Sequence, residues 1–96
     1  MNAADILSQA SSLVSGDRNK QHGDKLENHQ NIAALWSAYK EIDISPRDVA
    51  IMMALLKIAR TKTGEVNADD FVDGCGYISI AGELASPHLE RDSKGE

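Results

Sequence analysis

The chain has 96 residues, a formal net charge of −5, and a composition that is 42% hydrophobic but only 4% aromatic. That length allows one small domain, whose core must be built from Leu, Ile, Val, Ala and Met, the usual palette of helical domains. The acidic balance lacks the basic footprint that non-specific DNA or RNA binding needs, and it disfavours an anionic membrane surface, so any phosphate must be held locally by a few cations or a bridging metal ion.

The apolar residues follow the helical period throughout, and nothing reads as a strand. A first helix is expected over about 3–14, with Asn2 as its cap, Asp5 three residues later, and Ile6, Leu7, Ala10, Leu13 and Val14 on one face. This N-terminal stretch lacks the basic and long apolar regions of a signal peptide. No apolar run approaches the ~20 residues of a bilayer span. The expected compartment is the cytoplasm, with no membrane partner. Residues 15–23 form a polar loop in which Arg18, Lys20 and His22 either meet a ligand or are simply solvated.

A second helix is expected over about 25–40. Asp24 and Glu27 have the spacing of a capping box, and Ile32, Leu35, Trp36 and Tyr39 mark its buried stripe. His29 on this helix reads as a surface residue at least as readily as a metal ligand. Ser45-Pro46-Arg47-Asp48 is a strong helix start, since serine caps, proline tolerates the first turn and aspartate stands at the third position. The third helix that follows is apolar nearly all round and is expected to be the most central one. Lys57 and Arg60 interrupt it on one shared face.

Asn67 is read as the cap of a fourth helix, with Asp70 at the capping-box position, reaching about Leu84. Asp70, Asp73 and Tyr77 share one stripe of it. Phe71, Val72, Cys75 and Ile78 are assigned to a core. Cys75 is the one cysteine, which excludes an internal disulfide; it reads as a buried, inert thiol. Gly74 and Gly76 each weaken the helix by roughly 1 kcal/mol relative to alanine, which suggests a close approach by a neighbour or a ligand. A single domain over 1–85 and a disordered tail over 86–96 complete the expected organisation.

The acids at helix starts have a ready structural role, because they cap free N–H groups and complement the helix dipole. Glu27, Asp48 and Asp70 all fit it. Asp73 does not, since it lies beyond the first turn; it needs Lys57, Arg60 or a metal ion as its partner. Lys57 and Arg60 can pair with Asp73 and Asp70 or hold a phosphate, to which a guanidinium is well matched. No Cys/His spacing for structural zinc and no phosphate-binding glycine loop is present.

Several strings together resemble a phage-encoded family, the nucleotide modification associated domain of type 1. They are Gly16-Asp17-Arg18 with His22-Gly23-Asp24, Glu27-Asn28, Ile32 to Tyr39, Asp48-Val49-Ala50 through Leu55-Leu56-Lys57-Ile58-Ala59-Arg60, and Asp70, Val72-Asp73 and Gly76-Tyr77. The resemblance covers roughly residues 5–85. That family in turn is similar to the MazG-type all-α nucleotide pyrophosphohydrolases. The resemblance implies a small four-helix bundle that self-associates as a dimer or tetramer, with Mg²⁺ held by Glu27, Asp70 and Asp73. Arg18, His22, Lys57, Arg60 and Tyr77 would contact a nucleotide. Asp70-x-x-Asp73 stands for the second metal motif of those enzymes, while the first is degenerate, since Glu27 has Gln30 three places on. Two functions follow as expectations. One is a phage nucleotide-handling protein, acting as a Mg²⁺-dependent pyrophosphohydrolase if catalytic. The other is a catalytically silent binder that sequesters a nucleotide or cyclic-nucleotide defence signal, or that binds a host protein.

Overall fold

The computed structural model describes residues 1–15 and 24–95, with side chains as far as Pro87. The loop residues Arg18 and His22 lie outside the described residues. Among those described there are four helices and no strand: α1 (Ala3–Val14), α2 (Lys25–Lys40), α3 (Pro46–Arg60) and α4 (Ala68–Gly95). The all-α expectation holds, and all four helix starts have the capping residues that the sequence signals, Asn2, Asp24, Ser45 and Asn67.

At α1 the Asn2 side chain accepts from the Asp5 N–H at 2.9 Å, and the Asp5 carboxylate accepts from the Asn2 N–H at 2.9 Å. Ser45 and Asp48 close the same reciprocal box on α3 at 3.0 and 3.1 Å. These bonds hold the Asp48 carboxyl below its ordinary pKa, the Ser45 backbone N–H first and its hydroxyl second. Asp24 caps α2 through the Leu26 N–H. Between α2 and α3 the Ser37 hydroxyl donates to the Ile44 carbonyl at 3.1 Å and accepts from the Ile44 N–H at 2.9 Å, while Glu41 ends α2 in the left-handed region at φ 57°. The α3–α4 turn contains Gly64 at φ 75°, a conformation that L side chains rarely adopt.

Helix α4 is the hub. It packs most extensively on α3, next on α1, and slightly on α2, whose main partner is α3. Ala50 of α3 joins Ile80 and Ala81 of α4 in the core, with Val14, Tyr77 and Leu84 packed around them. Ala10, Ala33, Val49, Ala54 and Val72 are also buried. The interior is therefore made largely of alanine and valine.

This small-residue interior overturns several expectations. Helix α3 is not the buried centre, because its inward residues are Val49, Ala50 and Ala54, while Ile51, Met52, Leu55, Leu56 and Ile58 are exposed. On α2 the buried positions are His29 and Ala33, whereas Leu35 and Tyr39 are 71% and 84% exposed; the buried stripe is rotated away from the one formed by the bulky residues. Phe71 and Ile78 of α4 and Leu7 of α1 are exposed as well. Cys75 is half-buried. In each case two helices that touch through small side chains leave no room for large ones between them.

Helix α4 also continues past Leu84 to Gly95, with Pro87 inside it. Leu84, Ala85 and Ser86 are half-buried, so packing carries the helix beyond the point where its apolar pattern fades. The side chains of 88–96, within the stretch expected as a disordered tail, lie outside the described residues.

Gly74 and Gly76 of α4 each face a neighbouring helix, Gly74 toward the Cβ of Lys57 and Gly76 toward Cγ1 of Val14. A methyl added at either position would stand 3.7 or 3.6 Å from those atoms, an ordinary van der Waals distance. Helix packing therefore does not require the absence of a side chain. Gly74→Ala and Gly76→Ala should each stabilise the fold by roughly 0.5–1 kcal/mol through helix propensity, read as a rise in Tm of about 4 °C or more. A fall in Tm would mean that the helices cannot give the last few tenths of an ångström. Asp48→Asn should weaken the α3 cap at neutral pH. Because the folded Asp48 pKa is depressed, its contribution is present above the unfolded value and lost as pH falls through the folded one. The variant's stability should therefore change less than the wild type's across the acid end of a denaturation series.

Candidate functional site

The polar stripe on α4 meets three partners from two other helices. Asp70 accepts Nε of Arg60 at 3.3 Å, and Asp73 accepts Nζ of Lys57 at 3.1 Å. Tyr77, one turn further, has its ring 6.3 Å from that of His29, tilted by 58°. Lys57 and Arg60 reach neighbouring acids because α3 and α4 run antiparallel, so three residues along one helix match three along the other.

The two ion pairs differ in kind. Asp70 is buried, at 7%, while the Arg60 side chain is 58% exposed. A buried carboxylate thus holds the guanidinium at Nε, while more than half of the Arg60 side chain stays exposed. Lys57 and Asp73 are both partly buried, with the ammonium the more enclosed of the two. The capping expected of Asp70 is not what its carboxylate does. Asn67 caps α4 through the Asp69 N–H at 3.0 Å, and the Asp70 carboxylate turns to α3 instead.

His29 is the residue that sequence reasoning placed wrongly. It is 6% exposed. Its Nδ1 lies 2.7 Å from the Lys25 carbonyl. A carbonyl only accepts, so Nδ1 carries the proton in this bond and Nε2 presents its lone pair. That Nε2 is buried and has no hydrogen-bond partner among the described residues. The signal available in the sequence was the spacing His29, Ala33, Trp36, which is a helical stripe with a small residue at its centre. Next to it, Lys25 reaches Glu83 of α4 at 3.6 Å.

The metal set expected from the resemblance is not gathered here. Among the described residues, no three of His, Cys, Asp and Glu come together as ligands. Asp70 and Asp73 each already hold a cation, and Glu27 is exposed in the first turn of α2. Mg²⁺ demands near-octahedral oxygen ligation, which two cation-paired carboxylates do not supply. The donor set of this chain therefore does not fit a resident Mg²⁺ in this arrangement. A shallow concavity lined by Ser45, Pro46, Arg47 and Leu84 lies at the opposite end of the α3–α4 contact and includes none of these groups. Among the described residues, no helix is long and apolar enough to cross a membrane.

A family model described as a domain of unknown function (DUF6378) matches residues 5–85. Two curated relatives are each called Gene 55 protein. The one from Mycobacterium phage L5 is 43% identical over 91 residues, covering 94% of this chain and 58% of the relative. The one from Mycobacterium phage D29 is 47% identical over 89 residues, covering 93% of this chain and 59% of the relative. The chain thus spans less than two thirds of the length of these relatives. No solved structure matches it.

The asymmetry of the Arg60–Asp70 pair makes a stability prediction. Arg60→Ala should cost more than the 0.2–1 kcal/mol of an exposed pair. It strands a buried carboxylate, which puts the cost at about 1–3 kcal/mol. Adding Asp70→Asn to that variant should recover part of the loss, measured by urea denaturation as a coupling energy in a double-mutant cycle. Additive losses would show that the two side chains act independently.

Proposed function

This chain belongs to the DUF6378 family, and on that premise we propose that it is a phage protein that binds a phosphate-bearing ligand, a nucleotide in the first instance, through Lys57 and Arg60. The observation that carries this reading is Arg60, held at Nε by the buried Asp70 while its side chain is 58% exposed. A planar cation fixed in this way is set to receive two phosphate oxygens with little further loss of freedom. Lys57 stands one turn away and is held by the half-buried Asp73, which a phosphate can displace. Tyr77 borders the same stripe, packed near His29.

The net charge of −5 bears on this reading. An acidic surface repels free phosphates at long range, so affinity must come from short contacts with these two cations rather than from steering. Asp70 and Asp73 keep the cations soluble and ordered until the ligand competes. The catalytic version, a MazG-like pyrophosphohydrolase, would need both aspartates to exchange their cations for Mg²⁺ and Glu27 to join them. The binding version needs neither step. It fits a protein that sequesters a nucleotide in the host cytoplasm, and the phage origin of the Gene 55 relatives supports that setting.

Calorimetric titration with nucleoside mono-, di- and triphosphates, in Mg²⁺ and in EDTA, tests the proposal. Binding should persist in EDTA and weaken roughly tenfold or more in Lys57→Ala and Arg60→Ala, as expected for loss of a charge-assisted hydrogen bond. Asp73→Asn should tighten it by freeing Lys57. If Asp73→Asn instead weakens binding, and binding requires Mg²⁺, the carboxylates hold a metal and the hydrolase version stands; release of pyrophosphate then reads it directly. No heat with any nucleotide in either condition would overturn the proposal.

A further inference from the structure

Helix α3 is turned inside out for a helix of a small domain. Val49, Ala50 and Ala54 face inward, while Ile51, Met52, Leu55, Leu56 and Ile58 are 40%, 44%, 57%, 45% and 54% exposed. At 3.6 residues per turn, Ile51, Leu55 and Ile58 form one outward row and Met52, Leu56 and Ala59 the row beside it. Neither row contains a charged residue. Phe71 and Ile78, 46% and 51% exposed, stand one turn to either side of Gly74, the α4 glycine that faces Lys57, and they widen the patch across the seam between the helices. Together these seven side chains leave on the order of 600 Å² of apolar surface open. That is the upper end of what monomers show and close to the ~800 Å² per partner of a standard interface.

We propose that this face pairs with the same face of a second copy, the two α3 helices lying antiparallel across a twofold axis at Leu55. The reason to choose a second copy is the charge pattern along the row. Asp48 lies seven residues before Leu55 and Lys62 seven residues after it, and both are exposed. Seven residues are close to two full turns, so Asp48 and Leu55 fall on one line of the helix, and Lys62, in the turn that follows Arg60, stands where that line would continue. An isologous contact requires a surface complementary to itself. A line that runs acid, apolar, base is self-complementary only when antiparallel. Each Asp48 then meets Lys62 of the second copy, Met52 meets Ile58, and Leu55 meets Leu55. Parallel pairing would set like charges against each other at both ends. A foreign partner would impose no such symmetry about Leu55.

Sedimentation equilibrium of the intact chain, without added nucleotide, tests the assembly separately from ligand binding. The wild type should sediment at twice 10.4 kDa. Leu55→Asp should weaken the dimer by roughly a hundredfold, as substitution at the centre of an interface does, with its helical circular dichroism retained because the position is exposed. The orientation is read by oxidation in a Cys75→Ser background. An equimolar mixture of Met52→Cys and Ile58→Cys chains should give mainly the mixed cross-link. A chain that stays monomeric up to hundred-micromolar concentration overturns the proposal and assigns the face to another occupant. So does a dimer indifferent to Leu55→Asp. Predominant Met52→Cys homodimers would overturn the antiparallel arrangement.

Discussion

The close contact of α3 with α4 governs the rest of the structure. It joins Ala50 on one side to Ile80 and Ala81 on the other, with Ala54 buried on the same helix and Gly74 facing the Cβ of Lys57. Small side chains bury little area each, and the hydrophobic gain scales with area. Such a seam stabilises through the number and tightness of its contacts more than through any one residue, and among the described residues the largest fully buried side chain is Val49. The same geometry expels the large apolar residues of α3 to its outer side, because one helix cannot present both its small and its large face to the same neighbour.

The charges depend on that seam. Lys57 and Arg60 are long enough to extend from α3 to α4 while their stems lie along the contact. With the helices this close, the carboxylates of Asp70 and Asp73 lie within 3.3 Å of the nitrogens. A wider contact filled by leucines would hold the same four groups apart in water, where pairing contributes little. Burial changes the balance at Asp70. Its negative charge is tolerable only with Arg60 beside it, and that requirement fixes the guanidinium in one place while most of it stays exposed. The ordering that would suit Arg60 to the proposed phosphate ligand is thus a by-product of keeping a buried acid paired.

The helices and their caps were legible because they rest on local rules. Asn2 with Asp5, and Ser45-Pro46 with Asp48, each announce a helix start in four residues, and the structure has both. The partners of Asp70 and Asp73 were also legible as alternatives, since only Lys57 and Arg60 stood on a suitable neighbouring helix. What could not be read was which side of an apolar helix faces inward. For α3, and for Leu35 and Tyr39 of α2, the size of the side chains pointed the wrong way. Hydrophobic periodicity reports a preference to leave water, and it does not distinguish burial against the same chain from burial against another. His29 was missed for the complementary reason. Its type suggested the surface, and only the alignment of α2 with α4 decides that its ring lies under Tyr77.

The acidity of the chain then constrains how its open surfaces can be used. Two copies that each carry −5 repel one another before contact, and at physiological ionic strength that repulsion fades over about 8 Å. In the proposed dimer, association must therefore be carried by the apolar rows of α3, with Asp48 and Lys62 setting direction more than strength. The phosphate reading faces the same field and meets it in the same way, with cations confined to one short stretch of the α3–α4 seam. The two uses share an end of α3. Arg60 turns inward to Asp70, while Lys62, two residues on, closes the outward row. Two residues are about 200° of helical turn, so in the proposed dimer the second copy's Asp48 at Lys62 would stand on the other side of α3 from Arg60, and the two proposed uses would occupy separate faces.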